Sequence, residues 1–181
     1  MKIRFSGFGG QGIILLGEIV GTAATLDGKN ALQTQSYGSA SRGGASKSDV
    51  IVSDGEIHEL EIEEVDILVA MSQPAFEKYI GQLKKGGILI IDADMVNPPS
   101  GNFRIYPVSA TKVAKEKFGS PLFANFIILG YVVGLTGLIS VRFALGAISE
   151  RVKKEKEKNI AAFKEGLRLA KERLSVCSAQ Q

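Results

Sequence analysis

Six residues near the beginning of the sequence have the types and spacing of a phosphate-binding turn. Residues 7–12, GFGGQG, fit the pattern G-x-G-x-x-G, whose glycines let a backbone turn tightly and approach a pyrophosphate at a helix N-terminus. An apolar run from Ile3 precedes them, and residues 13–16 continue with IILL. A strand, a turn and a helix are therefore expected here. Taken alone, the motif is typical of NAD or FAD binding.

The second half of a dinucleotide site is missing from the sequence. Such sites place an acidic residue at the end of the second strand, where it binds the ribose hydroxyls. The second strand expected here, residues 31–35, continues into Ser36 without a carboxylate, and Asp27 lies in the turn before it. Arg42, the nearest arginine that could serve NADP, lies in a loop rich in glycine and serine. The glycines are therefore expected to serve a tight turn and close helix packing.

Other catalytic arrangements find little support. His58 is the only histidine and stands between Glu56 and Glu59, which is typical of a surface residue. The sequence contains no G-x-S-x-G, no Walker A motif and no H-E-x-x-H. Asp92 and Asp94, at the end of LIIDAD, could form an acid–base pair, bind a cation or cap a helix, and the cap is the commonest of the three. The chain thus shows no self-sufficient active site, and no catalytic or metal-binding residue is predicted.

Composition narrows the class of protein. The 181 residues, 45% of them hydrophobic, are enough for one well-buried domain, which we expect to span residues 1–181. A net charge of +3 gives no electrostatic case for nucleic acid. A single cysteine, Cys177, cannot form an intramolecular disulfide, a zinc site or an iron–sulfur cluster. No signal peptide is recognisable, so we expect a cytoplasmic protein.

Alternating strand and helix patterns predict an α/β fold. We expect a Rossmann-like, mostly parallel sheet with helices on both faces, an antiparallel hairpin insertion around Asp54-Gly55 and a C-terminal helical segment. The expected strands are 2–6, 31–35, 49–53, 66–72, 86–92 and 103–109, and the expected helices are 13–26, 74–83, 112–118 and 150–174.

One long segment carries no charge. Residues 118–141 are long enough to span a membrane, which takes about 20 apolar residues. Pro121, Asn125 and four glycines within the segment argue against a span. We therefore expect a helix that is buried on several sides, partly by another subunit. This interpretation predicts a soluble, oligomeric chain without a membrane span.

Two segments together resemble a known family. SGFGGQGIILLGEI, followed by QTQSYGSASRGGASKSDVIVSD, resembles the gamma subunit of 2-oxoacid:ferredoxin (acceptor) oxidoreductases, particularly the 2-oxoglutarate type. The resemblance continues through DILVAMSQPAFEKY, LKKGGILIIDADMV and FANFIILGYVVGL, and so covers about residues 1–140. Where Ser39 and Ala40 stand, the family usually has an acidic pair such as Pro-Glu, so any role of that glutamate is absent here.

The resemblance implies a reaction carried out by a complex. In this family a 2-oxo acid is oxidatively decarboxylated to an acyl-CoA, with coenzyme A as cosubstrate and ferredoxin or another acceptor receiving the electrons. Thiamine diphosphate, magnesium and iron–sulfur clusters are implied on the alpha, beta and delta partner subunits. This chain lacks both the four cysteines of a cluster and a thiamine diphosphate motif. It is expected to bind no cofactor alone, and the isolated chain could form a homo-oligomer.

The resemblance also indicates which residues contact a cosubstrate or partner. Arg42, in the centre of SYGSASRGG, is able to make bidentate contacts to phosphate or carboxylate, although it could equally pair with a neighbouring acid. The predicted site residues are Gly9, Gly10, Gln11, Gly12, Ser36, Tyr37, Gly38, Arg42 and Gly43. Two alternatives stay open. One is the equivalent subunit of a pyruvate, branched-chain 2-oxoacid or indolepyruvate enzyme, and the other is a stand-alone nucleotide-binding regulatory module.

Overall fold

The computed structural model describes residues 1–37, 45–59, 61–98 and 103–178, with side chains through residue 176. Its strands are β1 (Lys2–Gly7), β2 (Asn30–Ser36), β3 (Ser46–Ser53), β4 (Val65–Ala70), β5 (Leu83–Asp92) and β6 (Arg104–Val108). Its α-helices are α1 (Ile13–Leu26), α2 (Gln73–Tyr79), α3 (Ala110–Phe118), α4 (Ala124–Thr136), α5 (Val141–Arg151) and α6 (Lys156–Ser178). Short 3-10 helices follow α2 at Ile80–Gln82 and precede α4 at Pro121–Phe123.

The strands form one mixed sheet in the order β2-β3-β1-β4-β5-β6. Strands β1, β4, β5 and β6 are parallel, whereas β3 runs antiparallel to both β1 and β2. The predicted α/β fold with an antiparallel pair is confirmed. The position of that pair differs from the prediction, because no described residue between Asp54 and Glu64 is in a strand. The antiparallel strands instead lie on either side of the segment between Tyr37 and Ala45.

The helices that follow β1 and β4 cover opposite faces of the sheet. On one face, Leu16 and Ile19 of α1 share a buried cluster with Ile3 of β1 and with much of α4 and α6. On the other face, Phe76 of α2 packs with Leu68 of β4. The chain therefore leaves β1 toward one face and β4 toward the other. In doubly wound folds, the crevice at the carboxyl ends of two such strands is the usual ligand position.

Helix α4 lies within the uncharged segment, residues 118–141. Every residue from 124 to 133 is buried, and no described helix is long and apolar enough to cross a membrane. Much of the cover comes from α6, which approaches so closely that a β-carbon on Gly130 would collide with the Phe163 carbonyl. A β-carbon on Gly166 would likewise collide with the Ile127 carbonyl. The expected buried helix is thus confirmed for these residues, which the chain itself covers, while cover by another subunit stays a prediction for the exposed Leu122 and Val141 of the segment.

A buried ion pair joins β1 to its antiparallel neighbour, β3. Arg4 and Asp49 are directly opposite each other in the β1–β3 register, and both are essentially inaccessible to solvent. Nε and Nη2 of Arg4 donate to the two carboxylate oxygens of Asp49 at 2.6 and 2.8 Å. Nη2 also donates to the Ile62 carbonyl at 3.0 Å. Because a one-residue slip would leave both charges buried and unpaired, the pair specifies the strand register.

Candidate functional site

The glycine-rich turn after β1 is held in shape by the side chain of Gln11. The Gln11 backbone N–H donates to the Phe8 carbonyl at 3.3 Å, which closes the turn. Oε1 of Gln11 accepts from the Phe8 N–H at 2.6 Å, and Nε2 donates to the Met71 carbonyl at 3.0 Å. Met71 follows β4, so one side chain joins the carboxyl ends of the two central strands. The turn is therefore fixed at the switch point of the sheet.

Glycine is needed at the positions of this turn for different physical reasons. A β-carbon on Gly7 would collide with the Gln11 side chain, and one on Gly12 would collide with the Asn125 amide. Gly10 and Gly12 also have φ values of 89° and 74°, in the region that favours glycine. Gly9 is different, because nothing lies within 4 Å of a β-carbon built there. No described residue of the chain requires glycine at position 9. The close approach of an external group is a remaining reason for a glycine there.

The two aspartates at the end of β5 are helix caps. Buried Asp92 accepts from the Thr111 hydroxyl at 2.6 Å and from the Asp94 N–H at 3.2 Å. Asp94 accepts from the Lys112 N–H at 2.6 Å, so both carboxylates serve the first turn of α3. Burial raises the pKa of Asp92, while the bond from Thr111 opposes that rise. The geometry therefore matches the interpretation of the two aspartates as helix caps, which is one of the three that the sequence left open.

A cavity lies between the turn and the beginning of α4, and we call it the α4 cavity. Its volume is about 290 Å³. Asn125, 6% exposed, contributes its side chain to the wall. Oδ1 of Asn125 accepts from the Phe126 N–H at 2.8 Å, while Nδ2 donates to no described residue. The α4 cavity is lined by Gly10, Gln11, Met71, Met95, Thr111, Lys115, Pro121, Leu122, Ala124 and Asn125.

A second cavity, the loop cavity, lies on the other side of the same turn. Its volume is about 390 Å³. Tyr37 and Ser46 line it together with the glycine turn, and these residues lie close to the two ends of the segment that contains Arg42. Tyr37 is 70% exposed. The loop cavity is lined by Phe8, Gly9, Gly10, Gly12, Ile13, Ile14, Leu15, Glu18, Tyr37 and Ser46.

The structure thus brings part of the predicted site together. Gly9, Gly10 and Gly12 share the loop cavity with Tyr37, and Gln11 lines the α4 cavity. Ser36 is exposed at the end of β2 and lines neither cavity. The remaining predicted residues lie outside the described part of the chain, namely Gly38, Arg42 and Gly43.

Sequence reasoning missed two polar residues of the site. Asn125 was expected only to oppose a membrane span, yet it is buried beside Gly12. The other is Thr111, whose hydroxyl is bound to Asp92 and which lines the α4 cavity. A signal for Asn125 existed, because a single amide within an apolar run must find hydrogen-bonding partners when it is buried.

The arrangement does not have dinucleotide-binding geometry. Strand β3 lies between β2 and β1, so the end of β2 is not adjacent to the glycine turn in the way that ribose recognition requires. His58 is a surface residue, with 82% of its side chain exposed. Within the described ranges, no group of three histidine, cysteine, aspartate or glutamate side chains is placed to hold a metal ion. What remains is a turn with exposed backbone between two cavities.

The fold is that of a doubly wound α/β domain with an antiparallel strand beside its central strand. Comparison with known proteins supplies the family. The sequence pattern of the family "Pyruvate ferredoxin/flavodoxin oxidoreductase" matches residues 2–169, and the chain belongs to this family. The resemblance found in the sequence is confirmed.

Individual relatives match almost the whole chain. The 2-oxoglutarate synthase subunit KorC of Methanocaldococcus jannaschii is 45% identical over 176 residues, which cover 94% of each chain. The gamma subunit of a keto/oxoacid ferredoxin oxidoreductase from Geobacter sulfurreducens has a similar structure, with a TM-score of 0.83 and 44% identity over 93% of this chain and 97% of that one. The pyruvate synthase subunit PorC of Methanothermobacter marburgensis is 29% identical, over 83% of this chain and 85% of its own length.

Proposed function

We propose that this chain is the gamma-type subunit of a 2-oxoglutarate:ferredoxin oxidoreductase. The observation that carries the proposal is the 45% identity to a 2-oxoglutarate synthase subunit over 94% of both chains. Through its partners, the chain takes part in the conversion of 2-oxoglutarate and coenzyme A to succinyl-CoA and carbon dioxide. The electron pair released in this oxidation passes to ferredoxin. The complex acts in the cytoplasm.

The cofactors of this reaction belong to partner subunits in our proposal. A cluster held by protein needs several thiolates, and this chain has one cysteine, so its residues do not fit an iron–sulfur cluster. The described residues also offer no group of acidic or histidine side chains for magnesium. Thiamine diphosphate with its magnesium, and the clusters, are therefore assigned to alpha, beta and delta partners. The gamma-type chain supplies binding surface and orientation.

The glycine turn and the segment around Arg42 are proposed to meet coenzyme A or the thiamine-bearing partner. Three features of the described chain support this. The turn lies at the switch point of the sheet, where ligands of such folds bind. Gly9 exposes its backbone with nothing within 4 Å of a β-carbon there. Tyr37 and Ser46 line the same cavity as the turn, so the loop between them starts and ends beside it.

The second candidate is the equivalent subunit of a pyruvate enzyme. The PorC relative supports it, since it matches most of the chain, but at 29% identity. The difference from 45% favours 2-oxoglutarate. Substrate choice is expected to lie largely on the thiamine-bearing subunits, so it must be measured on the assembled complex.

The test is a purification of the native complex followed by assays with several 2-oxo acids. The chain carries an affinity tag, and the subunits that copurify are identified by mass spectrometry. We expect thiamine diphosphate and iron in the complex, and the highest kcat/KM with 2-oxoglutarate. A complex that prefers pyruvate would transfer the proposal to the second candidate. A chain that purifies without partners and contains bound nucleotide would overturn the proposal in favour of a regulatory module.

A matched pair of variants tests the role of Arg42 within this complex. Arg42→Ala removes a cation able to bind phosphate or carboxylate, and the loss of one charge-assisted hydrogen bond of about 1.5–3 kcal/mol would raise the KM for coenzyme A about ten- to a hundredfold. Arg104→Ala is the control, because Arg104 is an exposed arginine on the edge strand β6. An Arg42→Ala complex with unchanged KM for coenzyme A and 2-oxo acid, and unchanged kcat, would show that Arg42 is structural.

A further inference from the structure

We infer that the loop cavity, about 390 Å³ in volume, is a docking site for the thiamine-bearing partner subunit. Its occupant is an apolar side chain of that subunit with a lysine or arginine beside it. The inference rests on the proposed function, which leaves coenzyme A and the partner as alternatives at the glycine turn. For this cavity the apolar wall, the charge of Glu18 and the open backbone of the turn favour the partner.

The wall of the loop cavity is mainly apolar. Phe8, Ile14 and Leu15 line it, and the rest of the chain covers each of them only in part. Tyr37 lines the same cavity and is 70% exposed. Large apolar side chains left partly open around one concave surface are typical of interaction sites, and tyrosine is enriched in protein interfaces. An apolar side chain placed among them would remove this surface from water, which favours binding.

Glu18 supplies the charge of the cavity wall. It lies in α1 and is half-buried, and the described residues that line the cavity with it include no lysine, arginine or histidine. None of the ion pairs between described residues involves Glu18. A carboxylate in this position repels the phosphates of coenzyme A and attracts a lysine or arginine, as complementary charges across an interface do. The charged neighbour of the docked side chain is therefore a cation.

The backbone around the cavity is open to a second polypeptide chain. Gly12, the N-cap of α1, has no side chain with which to cap the helix, and the first N–H groups of a helix have no acceptor within it. Nothing lies within 4 Å of a β-carbon built on Gly9, so another backbone can approach closely there. Carbonyl oxygens of a polypeptide can accept from such N–H groups without bringing a net negative charge close to Glu18. A phosphate group would bring that charge.

The position of the cavity suits a large partner. Strand β2 is an edge strand of the sheet, and Tyr37 directly follows its last residue. A second protein can therefore reach the cavity from beyond the edge of the sheet. Stable interfaces bury about 800 Å² on each partner, so the cavity is one part of a wider contact. Energy in such contacts is concentrated at a few side chains that fill pockets, which makes single variants at this cavity informative.

The test measures the dissociation constant between the purified chain and the purified thiamine-bearing subunit by calorimetry. Glu18→Lys places a cation against the partner's cation and should raise the Kd about tenfold or more. Its control is Glu116→Lys, the same change at an exposed position of α3 outside the cavity. Tyr37→Ala should raise the Kd at least several-fold, and its control is Leu26→Ala, 48% exposed at the end of α1. Thermal unfolding of each variant checks that the chain stays folded.

A second measurement separates the partner from coenzyme A as the occupant. Complexes assembled at saturating subunit concentrations should have the wild-type KM for coenzyme A with Glu18→Lys and with Tyr37→Ala. An unchanged Kd together with a raised KM would place coenzyme A in the cavity and overturn the inference. Equal losses of affinity in the cavity variants and their controls would also overturn it, while the proposed function stands. A wild-type chain that does not bind the thiamine-bearing subunit would contradict the proposed function itself.

Discussion

Gln11 donates a hydrogen bond from Nε2 to the backbone carbonyl of Met71, 3.0 Å away. Through this bond, the glycine turn that follows β1 is attached to the end of β4. Oε1 of the same amide accepts from the Phe8 N–H inside the turn. Ordering a turn rich in glycine costs much conformational entropy on folding, and these hydrogen bonds offset that cost. One side chain thus orders the backbone between the two cavities.

The first prediction is that Gln11→Ala loosens this turn. Removing the side chain leaves the Phe8 N–H and the Met71 carbonyl without their partner, which should lower the free energy of unfolding by about 1–3 kcal/mol. Denaturant titration measures this. Gln35→Ala, at an exposed position near the end of β2, is the control and should change little. Equal stability of the two variants would show that the amide does not hold the turn.

The second prediction concerns the close approach of α4 and α6. Gly166→Ala places a β-carbon against the Ile127 carbonyl, and because backbone must shift we expect a loss of about 1–3 kcal/mol or more. Gly21→Ala in α1 is the matched control, since nothing lies within 4 Å of its β-carbon. That variant should gain up to about 1 kcal/mol from helix propensity. Similar changes in both variants, measured by thermal or denaturant unfolding, would contradict the packing.

Local elements were predictable from the sequence, whereas the strand order was not. The turn between β1 and α1, and both ends of α1 itself, follow from the glycine motif, the apolar face and the Asp27-Gly28 stop. The insertion of β3 between β2 and β1 depends on the buried partnership of Arg4 with Asp49. Pairing between residues so far apart in the sequence produces no local sequence pattern. The hairpin was therefore wrongly expected at Asp54-Gly55.

The third prediction tests that buried pair. Asp49 contacts two cations, since Arg4 lies at 2.6 Å and is fully buried, while Lys47 lies at 2.8 Å with 27% of its side chain exposed. Arg4→Met keeps the apolar stem but leaves a buried carboxylate without its main partner, which should cost about 3–5 kcal/mol. Lys47→Ala should cost at most about 1 kcal/mol. Comparable losses in denaturant titrations would refute the assignment of Arg4 as the main partner.

The fourth prediction is a pH dependence at Glu165. Hydrogen bonds from Arg168 and then Lys117, opposed by desolvation, lower the pKa of this carboxyl to about 2. A lowered pKa in the folded state means that ionised Glu165 stabilises the fold above its usual value of 4.5 and that this contribution is lost as the pH falls toward 2. Glu165→Gln should therefore be less stable than wild type at pH 7, with a gap that narrows below about pH 4.5. A gap that stays constant down to about pH 2 would contradict the shift.

The candidate site was only partly visible in the sequence. The turn was found because glycines at fixed spacing have a direct backbone reason, as at Gly12 with its φ of 74°. The α4 cavity was not found, because Asn125 and Met71 come together only through the packing of α4 beside the switch point. A sequence motif reports local geometry well. It does not report which distant helix closes a cavity.

The most direct test of the account is reconstitution of the complex with and without this chain. The partner subunits are expressed together, and 2-oxoglutarate- and coenzyme A-dependent reduction of ferredoxin is measured before and after the purified chain is added. We expect no activity and no iron in the chain alone, and a strong stimulation of the partners when it is added. Equal activity of the partner subunits with and without the chain would contradict its role as a subunit of the oxidoreductase.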